Sequence, residues 1–236
     1  MRRIVQHHAF AQDGSGLRQI TSGARRDRDP QWSPDGKRMV FHSDRSGRYE
    51  AWTVQPDGSG LTQLTDSKGH QVLGARWSPD GTKISWEDGD HSGIVDLSKA
   101  KGANSEEILP APLQGKTFFP DSWAPDGRSL LGHTLGGGIW SYEIASKHYE
   151  QLTDKGNDAR LLKCGGRILF TDRGQLFSHD LAQKTTTPLF PGSESPITGF
   201  SISPDEHWLC VVRDISEGDV WMANLDTGVA SGESSK

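Results

Sequence analysis

Long apolar runs are missing from this 236-residue chain. No stretch approaches the roughly 18–20 residues that cross a bilayer as a helix, so a helical span is excluded. Basic charge is not in excess. The 26 Lys and Arg against 31 Asp and Glu give a formal net charge of −5, which leaves no footprint for nucleic acid or an anionic membrane surface. Cysteine is scarce: Cys164 and Cys210 are the only two, too few for a disulfide scaffold and enough for at most one bridge. Gly-x-Ser-x-Gly is absent, as is a glycine-rich phosphate loop before a helix. No segment carries a 3.6-residue apolar period. The start, Met1-Arg2-Arg3-Ile4-Val5-Gln6-His7-His8, is basic but has no apolar stretch behind it. The chain as it stands therefore reads as cytoplasmic, and as periplasmic only if an export signal precedes it.

Glycine, proline and tryptophan are plentiful instead, at 28, 12 and 8 residues. So much Gly and Pro argues against a helical bundle, and large aromatics at regular places argue against disorder. The regularity is a repeat. Trp32-Ser33-Pro34-Asp35-Gly36 recurs as Trp77-Ser78-Pro79-Asp80-Gly81 and as Trp123-Ala124-Pro125-Asp126-Gly127. An eroded copy falls at Leu161-Leu162-Lys163-Cys164-Gly165 and a weaker one at Ile202-Ser203-Pro204-Asp205-Glu206. The copies lie roughly 38 to 46 residues apart, the period of a four-stranded blade. Short apolar runs follow each turn, such as Arg38 to Phe41 and Lys83 to Trp86, and a second run follows a loop, such as Glu50 to Val54 and Ile139 to Tyr142. These are strand signatures. Asp57-Gly58-Ser59-Gly60-Leu61-Thr62-Gln63-Leu64-Thr65 and its near twin from Asp13 to Thr21 read as a tight turn and a closing strand. The unit is strand, turn, strand, loop, strand, turn, strand: an all-β propeller of four-stranded antiparallel blades, with the motif tryptophans packed between blades.

The stretch from Trp32 to Gly47, with the later Asp57 to Thr65, closely resembles the WD40-like Pro-Asp repeat of the TolB propeller. The resemblance implies a typically six-bladed propeller in bacterial proteins. Such propellers serve in the periplasmic Tol system, beside peptidase domains, and behind kinase or regulator domains. One fold carries many functions, so the resemblance assigns no single activity. Five copies of the first two strands and six of the third are visible, leaving five or six blades open. A single domain is expected over residues 1–228, with N-terminal strands within 4–21 closing the ring as a clasp beside Asp219 to Leu225, because an open ring leaves bare strand edges. Residues 229–236 read as a solvated tail.

Aligned on the motif, His42, Glu87, His133, Thr171 and Val212 fall at one equivalent position, just after the second strand of each blade. Together with Arg26, Arg28 and Asp29 before the first clear blade, and Gln71, the residues His42, Glu87 and His133 form the expected binding face. By resemblance its partner is a protein or peptide. Asp88-Gly89-Asp90-His91-Ser92-Gly93, with Asp96 at the ninth position, matches the opening of a calcium loop. Asp88, Asp90, Ser92 and Asp96 are its candidate ligands, although Lys99 stands where a helical calcium loop needs Glu. The leading expectation is a non-catalytic binding scaffold. The alternatives are a metal-assisted lyase or hydrolase at the channel mouth, which needs three or more His, Asp or Glu converging on one point, and a sensor or spacer propeller from a larger chain.

Overall fold

The computed structural model describes residues 8–9, 18–23, 25–67, 69–99, 105–190, 196–203, 205–213 and 220–224. A short hairpin, β1 (His8–Ala9) and β2 (Arg18–Gln19), comes first. The first full sheet holds β3 (Asp27–Trp32), β4 (Met39–Ser43), β5 (Glu50–Val54) and β6 (Thr62–Gln63). The second holds β7 (Leu73–Trp77), β8 (Lys83–Glu87), β9 (Ser92–Asp96) and β10 (Glu106–Ile108). The third holds β11 (Phe118–Trp123), β12 (Ser129–Thr134), β13 (Ile139–Glu143) and β14 (His148–Gln151). The fourth holds β15 (Asn157–Leu161), β16 (Arg167–Asp172), β17 (Gln175–Asp180) and β18 (Thr185–Pro188). The fifth holds β19 (Ile197–Ile202), β20 (Trp208–Arg213) and β21 (Val220–Asn224). Every pairing is antiparallel between chain neighbours, and no helix occurs among the described residues.

The Ser-Pro-Asp-Gly turns work as their chemistry dictates. Ser33 Oγ donates to Asp35 Oδ1 at 2.6 Å, the Lys37 N–H donates to the same oxygen at 3.1 Å, and Gly36 takes φ 68°. The second copy repeats this with Ser78, Asp80, Thr82 and Gly81. The Ser78 hydroxyl and then the Thr82 N–H hold the Asp80 carboxyl down to about 2. A short acceptor beside its own turn competes well with water for those donors.

Sheets stack through apolar layers that no single sheet could bury. Val40 and Ala51 of the first sheet pack with Val72, Ala75, Trp77, Ile84 and Trp86 of the second. Ile94 joins Phe118, Trp123 and Leu130 of the third. Leu131 and Ile139 join Ala159, Ile168 and Phe170 of the fourth, and Leu169 and Leu176 join Phe200, Leu209 and Val211 of the fifth. The residue after each closing strand hooks onto the next sheet: Leu64, Leu109, Leu152 and Leu189 do so in turn. Ile20, just after β2, does the same to Met39, Phe41 and Val54. The hairpin β1–β2 therefore stands to the first sheet as a third and fourth strand would. It and the β19–β21 sheet are separate sheets among the described residues. Most of residues 1–17 and all of 225–236 lie outside the description, so the clasp and the tail fall largely there.

Two expectations need correction. Trp77 and Trp123 are buried between sheets as the repeat implies, but Trp32 is 48% exposed. Each motif tryptophan packs on the sheet before its own, and Trp32 belongs to the first full sheet. Trp208 is also 44% exposed, at the start of β20. Ser92 to Asp96, read in the sequence as the second half of a cation loop, is the third strand of its sheet, with Ile94 and Val95 buried. The two cysteines are free thiols.

Candidate functional site

The first strand of each sheet carries a register shift shortly before its motif position, between Arg28 and Gln31, Leu73 and Arg76, Pro120 and Ser122, Asn157 and Arg160, and Ile197 and Gly199. Asp29, Gly74 and Asp158 sit at these bulges with φ of 51°, 54° and 52°. Gly reaches that region freely and Asp tolerates it because its short side chain hydrogen-bonds locally. A bulge bends the strand and re-aims its neighbours. Acidic and basic residues are thereby gathered at one end of the sheets.

The register makes four of the five aligned positions equivalent, whereas Val212 pairs with Gly199, one residue closer to its motif position. His42 pairs with Arg28, Glu87 with Leu73, His133 with Phe119, and Thr171 with Asn157. Arg26, Arg28, Asp29, His42, Gln71, Glu87 and His133 all lie at the end where first strands begin and second strands finish. The Ser-Pro-Asp-Gly turns occupy the opposite end. His42 is buried, with Nδ1 3.6 Å from an Asp29 oxygen and its ring edge-on to Tyr49. The Arg26 N–H donates to Asp44 at 3.0 Å. Arg28 and Gln71 are exposed. Beneath them Arg45 clamps the buried Asp27 with two bonds of 2.7 and 2.8 Å.

Four further residues that the sequence did not mark stand within charge range of this end: Asp121 and Asp158 at the bulges, and Arg76 and Arg160 farther along the same first strands. Asp121 accepts from His133 Nδ1 at 3.0 Å and from the Ala159 N–H of the fourth sheet at 3.0 Å, so it pins two sheets together. Burial pulls the His133 imidazole down, but the Asp121 hydrogen bond and charge outweigh it, with help from Asp158 and Glu87, and its pKa is raised. Burial pushes the Glu87 carboxyl up, Asp88 and Asp29 add to this, and the Gly89 N–H and His133 oppose it. Arg160 pairs with Asp158 at 2.8 Å. Glu87 thus senses Asp29 and His133, and His133 senses Asp158, a run of charge interactions across four sheets. The only signal for the missed four was their place one to three residues before the motif position, a strand position that otherwise reads as packing.

The calcium candidates do not come together. Asp88 accepts the N–H groups of Asp90 and His91 at 2.8 and 2.6 Å, as a turn does. Ser92 is buried and pairs with Glu87, whereas Asp96 pairs with Lys83 at the far end of the strand. Four strand steps put Asp96 roughly 13 Å from Ser92. There it accepts from Ser98. Among the described residues no group of three His, Cys, Asp or Glu has metal-holding geometry.

Radially stacked four-stranded sheets with loops gathered at one polar end define a β-propeller with a charged rim. The model of the TolB beta propeller domain matches residues 8–155, and the chain belongs to that family. The TolB homolog of Chlorobaculum tepidum is 46% identical over 131 residues, covering 56% of this chain and 28% of that protein. Dipeptidyl-peptidase 5 of Porphyromonas endodontalis is 26% identical over 236 aligned positions, covering 88% of this chain and 33% of that protein. The chain thus spans only about a third of these curated relatives. Among solved structures, TolB from Acinetobacter baumannii superposes with a TM-score of 0.71 at 17% identity, covering 94% of this chain and 57% of that one. An oligogalacturonate lyase in complex with manganese gives 0.68 at 15% identity, covering 96% and 72%. At such identities these structures speak for the fold alone.

Proposed function

We propose that this propeller is a non-catalytic binding module that recognises a protein or peptide at the rim formed by Arg26, Arg28, Asp29, His42, Gln71, Glu87 and His133. The observation that supports it is the convergence of opposite charges from three sheets at one end. Loops on a rigid scaffold are where binding groups concentrate. A relative from Syntrophus aciditrophicus, 36% identical over 52 residues, is a Tol-Pal system protein TolB, which makes purified Pal the first partner to try. Ring closure by the N-terminal strands belongs to the same proposal, since it would fix the rim geometry. A photo-crosslinking residue placed at position 28 or 71 should give discrete protein adducts in cells. One placed at position 37 or 128, on the opposite end, should not. Adducts only from the opposite end, or from neither, would overturn the reading. The 88% coverage by a peptidase relative favours a second reading, a propeller module of a larger chain; the mass of the protein in native extracts decides it.

A further inference from the structure

The residue just before the motif position is Gln31, Arg76, Ser122, Arg160 and Ser201 in successive sheets. Gln31 accepts from the Trp77 N–H at 2.8 Å and Ser122 donates to the Ala159 carbonyl at 2.6 Å, so both are consumed by the neighbouring sheet. The two arginines are used differently. Each folds back so that one N–H meets the carbonyl of the alanine before it, Arg76 to Ala75 at 3.1 Å and Arg160 to Ala159 at 2.9 Å. Arg160 also has Asp158. Arg76 has no carboxylate within 4.0 Å among the described residues, and one hydrogen bond for a group with five N–H donors. It is half-buried, where an uncompensated charge is costly. Burial and then Arg160 pull its guanidinium below the ordinary value, against the opposing charges of Asp29, Asp121 and Asp158.

We propose that Arg76, supported by Arg160, receives a single carboxylate at the tip of a bound peptide, either an acidic side chain or a free C-terminus. This rests on the binding reading above and names what that rim takes. A guanidinium fork matches a carboxylate with two parallel bonds. The surrounding charge selects among carboxylates. Asp29, Asp121 and Asp158 stand within charge range of Arg76. A polyanion meets repulsion at each of them. A peptide with one leading carboxylate, followed by neutral or basic residues, meets Arg76 and leaves those acids facing N–H donors or cations.

The test uses labelled, randomised heptapeptides without other acidic residues and measures anisotropy with the full chain. Three arms carry a free C-terminus, an amidated C-terminus with one Asp, and an amidated C-terminus with Asn in its place. At least one carboxylate arm should bind about tenfold or more tightly than the Asn arm, as expected of a charge-assisted bidentate pair; which arm does so identifies the carboxylate's source. Arg76→Gln should erase the preference, Arg160→Gln reduce it, Arg76→Lys retain part of it, and Arg128→Gln, on the opposite end, leave it intact. Should Arg76→Gln fail to fold by its melting curve, Arg76→Lys and Arg160→Gln carry the comparison. Equal binding of all arms, no binding of any arm, a preference that survives both glutamine variants, or tighter Arg76-dependent binding of trigalacturonate than of every peptide would overturn the proposal. If crosslinks from positions 28 and 71 persist in that event, the rim remains a binding face and only the carboxylate receptor is lost.

Discussion

Removing the Asp121 carboxylate gives the most informative perturbation of this structure. Its side chain is 11% exposed and holds two donors: the His133 imidazole of its own sheet and the Ala159 N–H of the next. Ala159 is fully buried, so Asp121→Ala leaves its N–H without an acceptor, a loss of about 1–3 kcal/mol. The charge-assisted bond to His133 adds about 1 kcal/mol, discounted because that ring is partly solvated. A total of about 3 kcal/mol lowers the melting temperature by about 6–12 °C for a domain of this size. Asp121→Asn keeps an acceptor for Ala159 and should lose about half as much. The pH dependence separates the two bonds. His133 has a raised folded pKa, so its contribution is complete below the unfolded value near 6.5 and fades as pH rises through the folded value. Thermal melts from pH 5.5 to 8.5 should show this loss in the wild type and a flatter profile in both variants. Equal melting temperatures for wild type and Asp121→Ala, or parallel pH profiles, would refute the account of Asp121 as a stabilising link between the third and fourth sheets.

Gly93→Ala should destabilise by about 1–3 kcal/mol in chemical denaturation, because its Cβ would lie 2.5 Å from the ring of Trp86, which is fully buried and stacked on His70; an unchanged midpoint would mean that ring has room to move. Asp80→Asn should shrink the acid limb of the stability curve, since a carboxyl held at about 2 contributes stability above its unfolded value near 4 and loses it as pH falls toward about 2; an identical acid midpoint would count against the turn's role. Millimolar calcium should leave the melting temperature unchanged, because Asp96 is a strand length from Asp88 and Asp90; a clear upward shift would place an ion at the Asp88 turn after all. Glu87→Gln should raise stability at neutral pH, since a carboxyl with a raised pKa favours folding below its unfolded value and loses that advantage as pH rises through the folded one. A lower melting temperature would show that the ionised Glu87 is favourably held.

Local chemistry made most of the architecture readable. Ser-Pro-Asp-Gly sets its own φ angles and hydrogen bonds, and alternating runs on either side can bury a face only as strands, so the sheets of four, their turns and the equivalence of His42, Glu87 and His133 follow from residue order. The strand Ser92 to Asp96 was hidden because its acidic flanks imitate a cation loop, and only its pairing with Lys83 to Glu87 distinguishes the two. Trp32 and Trp77 share one motif, yet one is exposed and the other enclosed, since burial depends on which sheet stands alongside. Arg76, Asp121, Asp158 and Arg160 join the rim's charges for the same reason: separate sheets bring them within range of each other's charge, and a strand sequence carries no record of what the neighbouring strand, tens of residues away, sets opposite it.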